Sequence, residues 1–248
     1  TVPLYDCTGK IYSLSSVTGE IRIFNSPASS GNLGAVINTA TPPSVISGGG
    51  ANAPNALGYS NATRKFYYVL NQNGGIGNTF VSYDPISNSY ETLASTNGYI
   101  YRGTATNDGL GYYALTSTNT LKYYDIINNA WTNITNTFVD QNGISLNSIL
   151  ATYSGGDLAM DGNGDLWILA GTTTSTTAYV FKIKSTVPKT NIGATPLVLE
   201  QIVKQNIGIS PNGISFNDIG ELFITNIATI FKMNSNFSIS TVGAISPS

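Results

Sequence analysis

Apolar and polar positions alternate along most of the chain with a period of two, and clusters of Asn, Asp, Gly and Ser break the pattern at short intervals. In DLAMDGNGDLWIL (157–169) an apolar stretch meets a polar turn and then a second, more aromatic stretch. The same string lies over GISFNDIGELFIT (213–225). Leu158 falls on Ile214, Met160 on Phe216, Gly164 on Gly220, Leu166 on Leu222 and Trp167 on Phe223. Looser copies are GTATNDGLGYYAL (103–115) and ALGYSNATRKFYYVL (56–70). Each copy predicts a β-hairpin: two strands and a turn whose Gly, Asn and Asp residues tolerate tight backbone geometry.

A third apolar stretch recurs as KIYSLS (10–15), TFVSYD (79–84), TLKYYD (120–125), YVFKIK (179–184) and TIFKMN (229–234). A more variable fourth follows, as in GEIRIFN (19–25), SYETLAS (89–95) and AWTNITN (130–136). Four-stranded units in series, with no helical period, predict an all-β single domain over 1–248: a β-propeller of antiparallel blades. Inner strands that are apolar at nearly every position fit blades buried on both faces. Five copies of the third strand predict five blades; a six-bladed ring would need the Gly/Pro/Ser-rich segment 26–54 to supply a sixth. The extra length is expected in loops at 26–54, 137–152 and 170–178. The first unit opens at VPLYDC, in a second-strand position, and the C-terminal VGAISPS resembles the start of an inner strand. Strands from both termini are therefore expected to close the ring and remove its exposed edges.

Composition narrows the chemistry. Only 10% of the 248 residues are charged and the net charge is −2, so the surface is wetted by Ser, Thr, Asn and Gly. With no basic stripe, nucleic acid is not an expected partner. No apolar run approaches the roughly 20 residues that span a bilayer, so membrane insertion is not expected. The chain shows no signal peptide, and an export signal would have to have been removed. There is no histidine, which excludes Ser-His-Asp triads, Cys-His pairs and His-ligated zinc. The single cysteine, Cys7, reads as a small packing residue. GGIG (74–77) and SGGG (47–50) lack the following Lys-Ser/Thr and helix of a phosphate loop and read as plain loops. Three Asn-x-Ser/Thr sequons, at Asn61, Asn133 and Asn236, are what so Asn- and Ser-rich a composition yields by chance.

Asp161-x-Asn163-x-Asp165 opens like a calcium loop. The sixth position is Leu166 rather than Gly and the twelfth is Thr172 rather than Glu. The aligned turn NDIG (217–220) could not form such a loop either, so the stretch reads as a hairpin turn, with Gly162 and Gly164 supplying positive φ angles. Of the plentiful tyrosines, among them Tyr67, Tyr68, Tyr99, Tyr101, Tyr112, Tyr113, Tyr123 and Tyr124, most fall within strands and read as packing residues. Trp131 reads as a cover over the third strand.

SPNGISFNDIGELFIT (210–225) and GGDLAMDGNGDLWIL (155–169) resemble blades of the NHL and gluconolactonase (regucalcin-type) propellers, and SYDPISNSYETL (82–93) has a kelch-like cadence. The gluconolactonase resemblance implies a divalent metal, calcium, held at inner-strand entrances. Asn212 in PNG matches one such ligand. Gly156 stands at a second ligand position with Asp157 beside it, and Glu20 sits in an outer turn. The resemblance covers the blade pattern along most of the chain and one ligand position. The aligned inner-strand entrances are Asn55, Arg102, Asp157 and Asn212, expected to ring the mouth of the central channel and to orient a small polar ligand. Two functions follow. One is a non-enzymatic extracellular or cell-surface binding or adhesion module, monomeric, without a cofactor, and suited to a glycan or protein partner. The alternative is a calcium-dependent lactonase using Asn212 and Asp157.

Overall fold

A computed structural model describes residues 10–25, 31–32, 34–40, 54–70, 78–96, 98–226 and 228–246. Cys7, VPLYDC and the Gly-rich segments 47–50 and 74–77 lie outside the described residues. The described residues are all-β apart from one short helix. β1 (Lys10–Leu14) and β2 (Ile21–Asn25) form a two-stranded sheet, and β3 (Gly31–Asn32) is a short strand beyond it. Blade I is β4 (Pro54–Ser60), β5 (Lys65–Leu70), β6 (Thr79–Asp84) and β7 (Ser89–Thr92). Blade II is β8 (Ile100–Ala105), β9 (Gly111–Thr116), β10 (Leu121–Asp125) and β11 (Ala130–Thr135). After β12 (Phe138–Val139) and α1 (Asn147–Thr152) comes blade III: β13 (Leu158–Met160), β14 (Leu166–Thr172), β15 (Ser175–Ile183) and β16 (Leu197–Asn206). Blade IV is β17 (Gly213–Phe216), β18 (Leu222–Thr225), β19 (Thr229–Met233) and β20 (Ile239–Ser246). Within each blade consecutive strands pair antiparallel, and the inner strands β4, β8, β13 and β17 stand side by side around the centre.

The repeat seen in the sequence is a repeat of register. Leu158 pairs with Ile168 and Met160 with Leu166, as Ile214 pairs with Ile224 and Phe216 with Leu222. The turn between them is built by one side chain in each copy. Asp161 Oδ1 accepts the N–H groups of Asn163 and Asp165 at 2.9 and 3.0 Å, and Asn217 Oδ1 accepts those of Ile219 and Glu221 at 3.2 and 2.8 Å. Gly164 and Gly220 have φ of 85° and 79°, while Gly162, expected to share that role, does not have positive φ.

Among the described residues four blades are complete, not five or six. The physical reason lies at the two ends of the repeat. The C-terminal strand is not an inner strand beside the first blade: β20 is the fourth strand of blade IV and pairs with β3 in parallel on its outer edge. The first unit is represented among the described residues by the β1–β2 sheet, with residues 34–37 laid along β2 through Gly34 N–H to Ile23 O and Ile37 N–H to Ile21 O. KIYSLS also takes a different place. The turn that follows it lies with Asn55 and Asn212, where the second-to-third turn of blade IV also lies, so β1 runs as a second strand does. The loop expectations change too. Segment 137–152 holds β12 and α1, and 170–178 is the extended end of the β14–β15 hairpin.

Packing explains the continuous apolar strands. In β5, Phe66, Tyr68 and Leu70 pack toward Ile21 of the two-stranded sheet, while Tyr67 and Val69 pack toward blade II. In β9, Tyr112 and Ala114 face blade I, and Tyr113 and Leu115 face blade III. A period of two divides each strand between two buried interfaces, so both sets must be apolar. Gly103 belongs to this packing: a Cβ there would sit 2.1 Å from Tyr112 Oη. Tyr112 Oη in turn donates to Ala56 O of blade I.

The kelch-like cadence has a mechanical basis in the third-to-fourth turns. Asp125 Oδ1 accepts the N–H groups of Ile127 and Asn128, and Asn129 closes the turn at φ 49°. Asn129 Oδ1 then receives Tyr124 Oη at 2.5 Å and Ala94 N–H at 2.9 Å, tying the chain leaving blade I to blade II. Blade I repeats this: Asn88, at φ 51°, receives Tyr83 Oη at 2.9 Å and Ala40 N–H at 3.0 Å. Asn129→Ala loses both bonds and the side-chain amide that lets asparagine tolerate the left-handed region, for an expected loss of about 2–4 kcal/mol. Asn129→Gly keeps the backbone and is expected to lose about half as much. Urea unfolding midpoints of the two variants check this; equal losses would show that the bonds, and not the turn conformation, carry the effect.

Candidate functional site

A cavity of about 540 Å³ opens at the entrance end of the inner strands. Its described wall combines β1 and the β1–β2 turn with the starts of β4 and β17 and the end of β18. Asn55, Asp157 and Asn212 all line it, so three of the four residues expected at the mouth come together. Amides and hydroxyls dominate the polar part of the wall (Ser13, Ser15, Thr225 and Asn226 besides the two asparagines), over an apolar floor that includes Ile214 and Phe223. A second cavity of about 270 Å³ lies at the opposite end, beneath the first-to-second turns, and is lined by Tyr59, Asn107, Asp161 and Asp218.

Each mouth residue is held by its local backbone. Asn55 begins a bulge in β4 and accepts the Ala56 N–H on Oδ1 at 2.8 Å; Ala56 itself has φ of 62°. Asn212 is exposed, and its N–H donates to Thr225 O at 2.8 Å. Asp157 follows Gly156, which has φ of 95° and where a β-carbon would sit 2.3 Å from Leu169 O. The Asp157 carboxylate reaches across the blade boundary. Oδ1 accepts Gly103 N–H of blade II at 2.8 Å and Leu158 N–H at 2.8 Å. Burial raises its pKa to about 8 against the opposing pull of these two bonds and of Arg102.

Arg102 does not line the cavity. A bulge between Ile100 and Arg102 interrupts the β8–β9 register, and the side chain is 0% exposed. Nη2 donates to Leu150 O of α1 at 3.2 Å, while Nε and Nη1 have no protein partner among the described residues. Desolvation lowers its pKa to about 10, with Asp157 pulling the other way, so it stays charged at neutral pH. Its place is the junction of blades II and III with the helix, and its effect on the mouth is exerted through Asp157.

The sequence reading missed the contribution of the β1–β2 turn. Glu20 and Arg22 line the cavity and pair at 2.9 Å. The signal was the strand identity of KIYSLS, because an entrance-side turn follows a second strand and not a third.

The donor set can be compared with what calcium requires, six to eight oxygen ligands with several carboxylates. Asp157 already accepts two N–H groups near a buried guanidinium, and Glu20 is paired with Arg22. Among the described residues no three Asp, Glu or Cys side chains cluster at metal-binding spacing. These residues do not fit a calcium centre at the mouth. Asp161 does not open one elsewhere, since its Oδ1 is bound in the turn and Oδ2 accepts Trp167 Nε1 at 3.0 Å.

The architecture matches solved propellers. A protein of unknown function from Bacteroides thetaiotaomicron aligns at a TM-score of 0.58 and 14% identity, over 94% of this chain and 55% of that one. A propeller in a nidogen/laminin complex aligns at 0.58 and 11% identity, over 96% and 79%. The chain is a β-propeller. A candidate gluconolactonase aligns at 0.50 and 13% identity, over 79% of this chain and 65% of that one. The chain thus spans little more than half the length of the Bacteroides protein. At these identities the propeller's likeness is one of fold, of the NHL and gluconolactonase kind. No family model and no curated protein sequence matches it.

Proposed function

We propose that this propeller is a non-enzymatic binding module, extracellular or at a cell surface, that holds a neutral polar ligand at the entrance mouth of its channel. The observation that carries this reading is the cavity wall. Amides and hydroxyls over an apolar floor suit a ligand with many hydroxyl or amide groups, such as a glycan or a polar loop of a protein partner. The wall's carboxylates, Asp157 and Glu20, are engaged within the protein, by the Gly103 and Leu158 N–H groups and by Arg22, and are poor candidates for metal ligation. The low charge supports a partner found by shape and hydrogen bonding and not by electrostatic steering. No helix among the described residues is long and apolar enough to cross a membrane. The nidogen/laminin neighbour supports a binding role by analogy of fold alone.

Thermal shift tests the reading. A neutral ligand for the mouth should raise the melting temperature by mass action, about 2.7 kcal/mol of stabilisation at a hundred times its Kd. Asn55→Ala and Asn212→Ala should abolish that shift while leaving the unliganded melt within a degree or two. Millimolar calcium and chelation should each leave the melt unchanged. Calcium-dependent lactone hydrolysis lost in Asn212→Ala would overturn the proposal in favour of the lactonase.

A further inference from the structure

The described tyrosines are either buried or partly exposed, with Tyr12, Tyr59, Tyr90 and Tyr153 among the latter. Tyr67, Tyr68, Tyr112, Tyr113, Tyr123 and Tyr124 are buried in blade interfaces, which accounts for them as packing residues. Tyr99 and Tyr101 are different: both are partly exposed, and their rings lie parallel, 4° apart in plane with centroids separated by 6.2 Å. A second parallel pair shows the contrast. Tyr179 and Phe181 stack at 6.0 Å and 8°, but Tyr179 is only 7% exposed, packed by Tyr153 and overlain by Lys204.

The segment that carries Tyr99 and Tyr101 is fixed. Asn78, buried in blade I, donates its side-chain amide to Gly98 O and accepts Thr96 N–H on its backbone oxygen. Gly98 takes φ of 86°, and Tyr99 O accepts Ser117 N–H at 2.9 Å. Tyr101 is the extra residue of the β8 bulge, which gives Arg102 to the interior and leaves Tyr101 at the surface. Ser117, whose N–H is that donor to Tyr99 O, and the exposed Thr118, whose Oγ1 lies 3.0 Å from Thr116 Oγ1, form the second-to-third turn of blade II.

We propose that Tyr99 and Tyr101, with Ser117 and Thr118, form a stacking subsite for the pyranose rings of a neutral glycan on the entrance rim. The C–H face of a sugar packs on an aromatic ring, and its hydroxyls require short polar partners at the ring's edge. Tyrosines on a fixed backbone lose little conformational entropy on binding, which favours a weakly polar, uncharged ligand. The inference rests on the reading of the entrance face as a binding face, and adds to it a ligand class and residues outside the mouth.

The test is calorimetric titration of the full chain with three probes: the β-1,4-linked glucose hexamer, the β-1,4-linked N-acetylglucosamine hexamer and the α-1,4-linked glucose hexamer. At least one should bind. Tyr99→Ala and Tyr101→Ala should weaken that binding about tenfold or more, while Tyr101→Phe, which keeps the ring, should stay within about twofold. Melting curves of the same variants establish that each is folded, and the Phe variant decides the matter if an Ala variant is not. Binding that only Asn212→Ala weakens would overturn the tyrosine subsite and leave the mouth reading standing. Loss in the tyrosine variants with Asn212→Ala unaffected would do the reverse. Failure of all three hexamers to bind overturns the subsite.

Discussion

Arg102→Ala is expected to lose about 3–5 kcal/mol of stability, whereas Arg102→Met is expected to leave stability unchanged or raised. The contrast separates volume from charge. Arg102 is the largest fully buried side chain of the described residues, and truncation to alanine opens a void where blades II and III meet α1. Large-to-small changes in close-packed interiors pay for both the lost contacts and the cavity. Methionine keeps most of the unbranched stem. It loses one hydrogen bond, Nη2 to Leu150 O, but also removes a cation that burial disfavours and two nitrogens, Nε and Nη1, without protein partners among the described residues. Replacing buried ionic groups by apolar ones of similar volume is often neutral or favourable by about 1–4 kcal/mol. Denaturant unfolding of the wild type and the two variants at pH 7 measures this directly. A methionine variant as unstable as the alanine variant would show that the guanidinium's polar contacts, and not its bulk, hold the junction.

Arg102 also marks the limit of what the sequence discloses. The hairpins were legible because 157–169 and 213–225 share a turn residue that makes the same two backbone bonds, Asp161 in one and Asn217 in the other. The buried tyrosines were legible because YY pairs at 67–68, 112–113 and 123–124 can serve two interfaces at once only in a strand buried on both faces. Three of the four mouth residues were legible because the repeats align their inner-strand starts. The bulge that turns Arg102 inward and brings Tyr101 out leaves no mark in a pattern of alternating residues. Blade number was hidden for a related reason. Second, third and fourth strands share one alternation, and their place in a blade is set by partners distant in sequence. β1 and β20 therefore read equally well in positions they do not occupy.

The wild-type protein is expected to become less stable as the pH rises from about 4 to about 8, and Asp157→Asn is expected to abolish that slope. The sign follows from proton linkage. Asp157 has an ordinary carboxyl pKa of about 3.9 in the unfolded chain. In the folded protein burial raises it to about 8. Between those limits the folded state holds a proton that the unfolded state has released, so raising the pH favours unfolding. The loss begins near pH 4 and is complete once the pH passes the folded value, with a total on the order of a few kcal/mol. Other carboxylates act elsewhere. Asp84, Asp108 and Asp125 have lowered values, through turn hydrogen bonds and nearby lysines, so their contributions are present above pH 4 and vanish on further acidification. The absence of histidine leaves the intervening window clear. Asn at 157 keeps an oxygen to accept Gly103 and Leu158 N–H groups, so the interblade tie survives while the titration is removed. The variant should match the wild type near pH 4 and exceed it at pH 8.5 in melting temperature. A wild-type melt that is flat across this range, or a slope that persists in Asp157→Asn, would mean that the carboxylate is ionised in the folded protein and paired in effect with Arg102. The mouth would then present a charge, and a neutral ligand would have to be accommodated beside it.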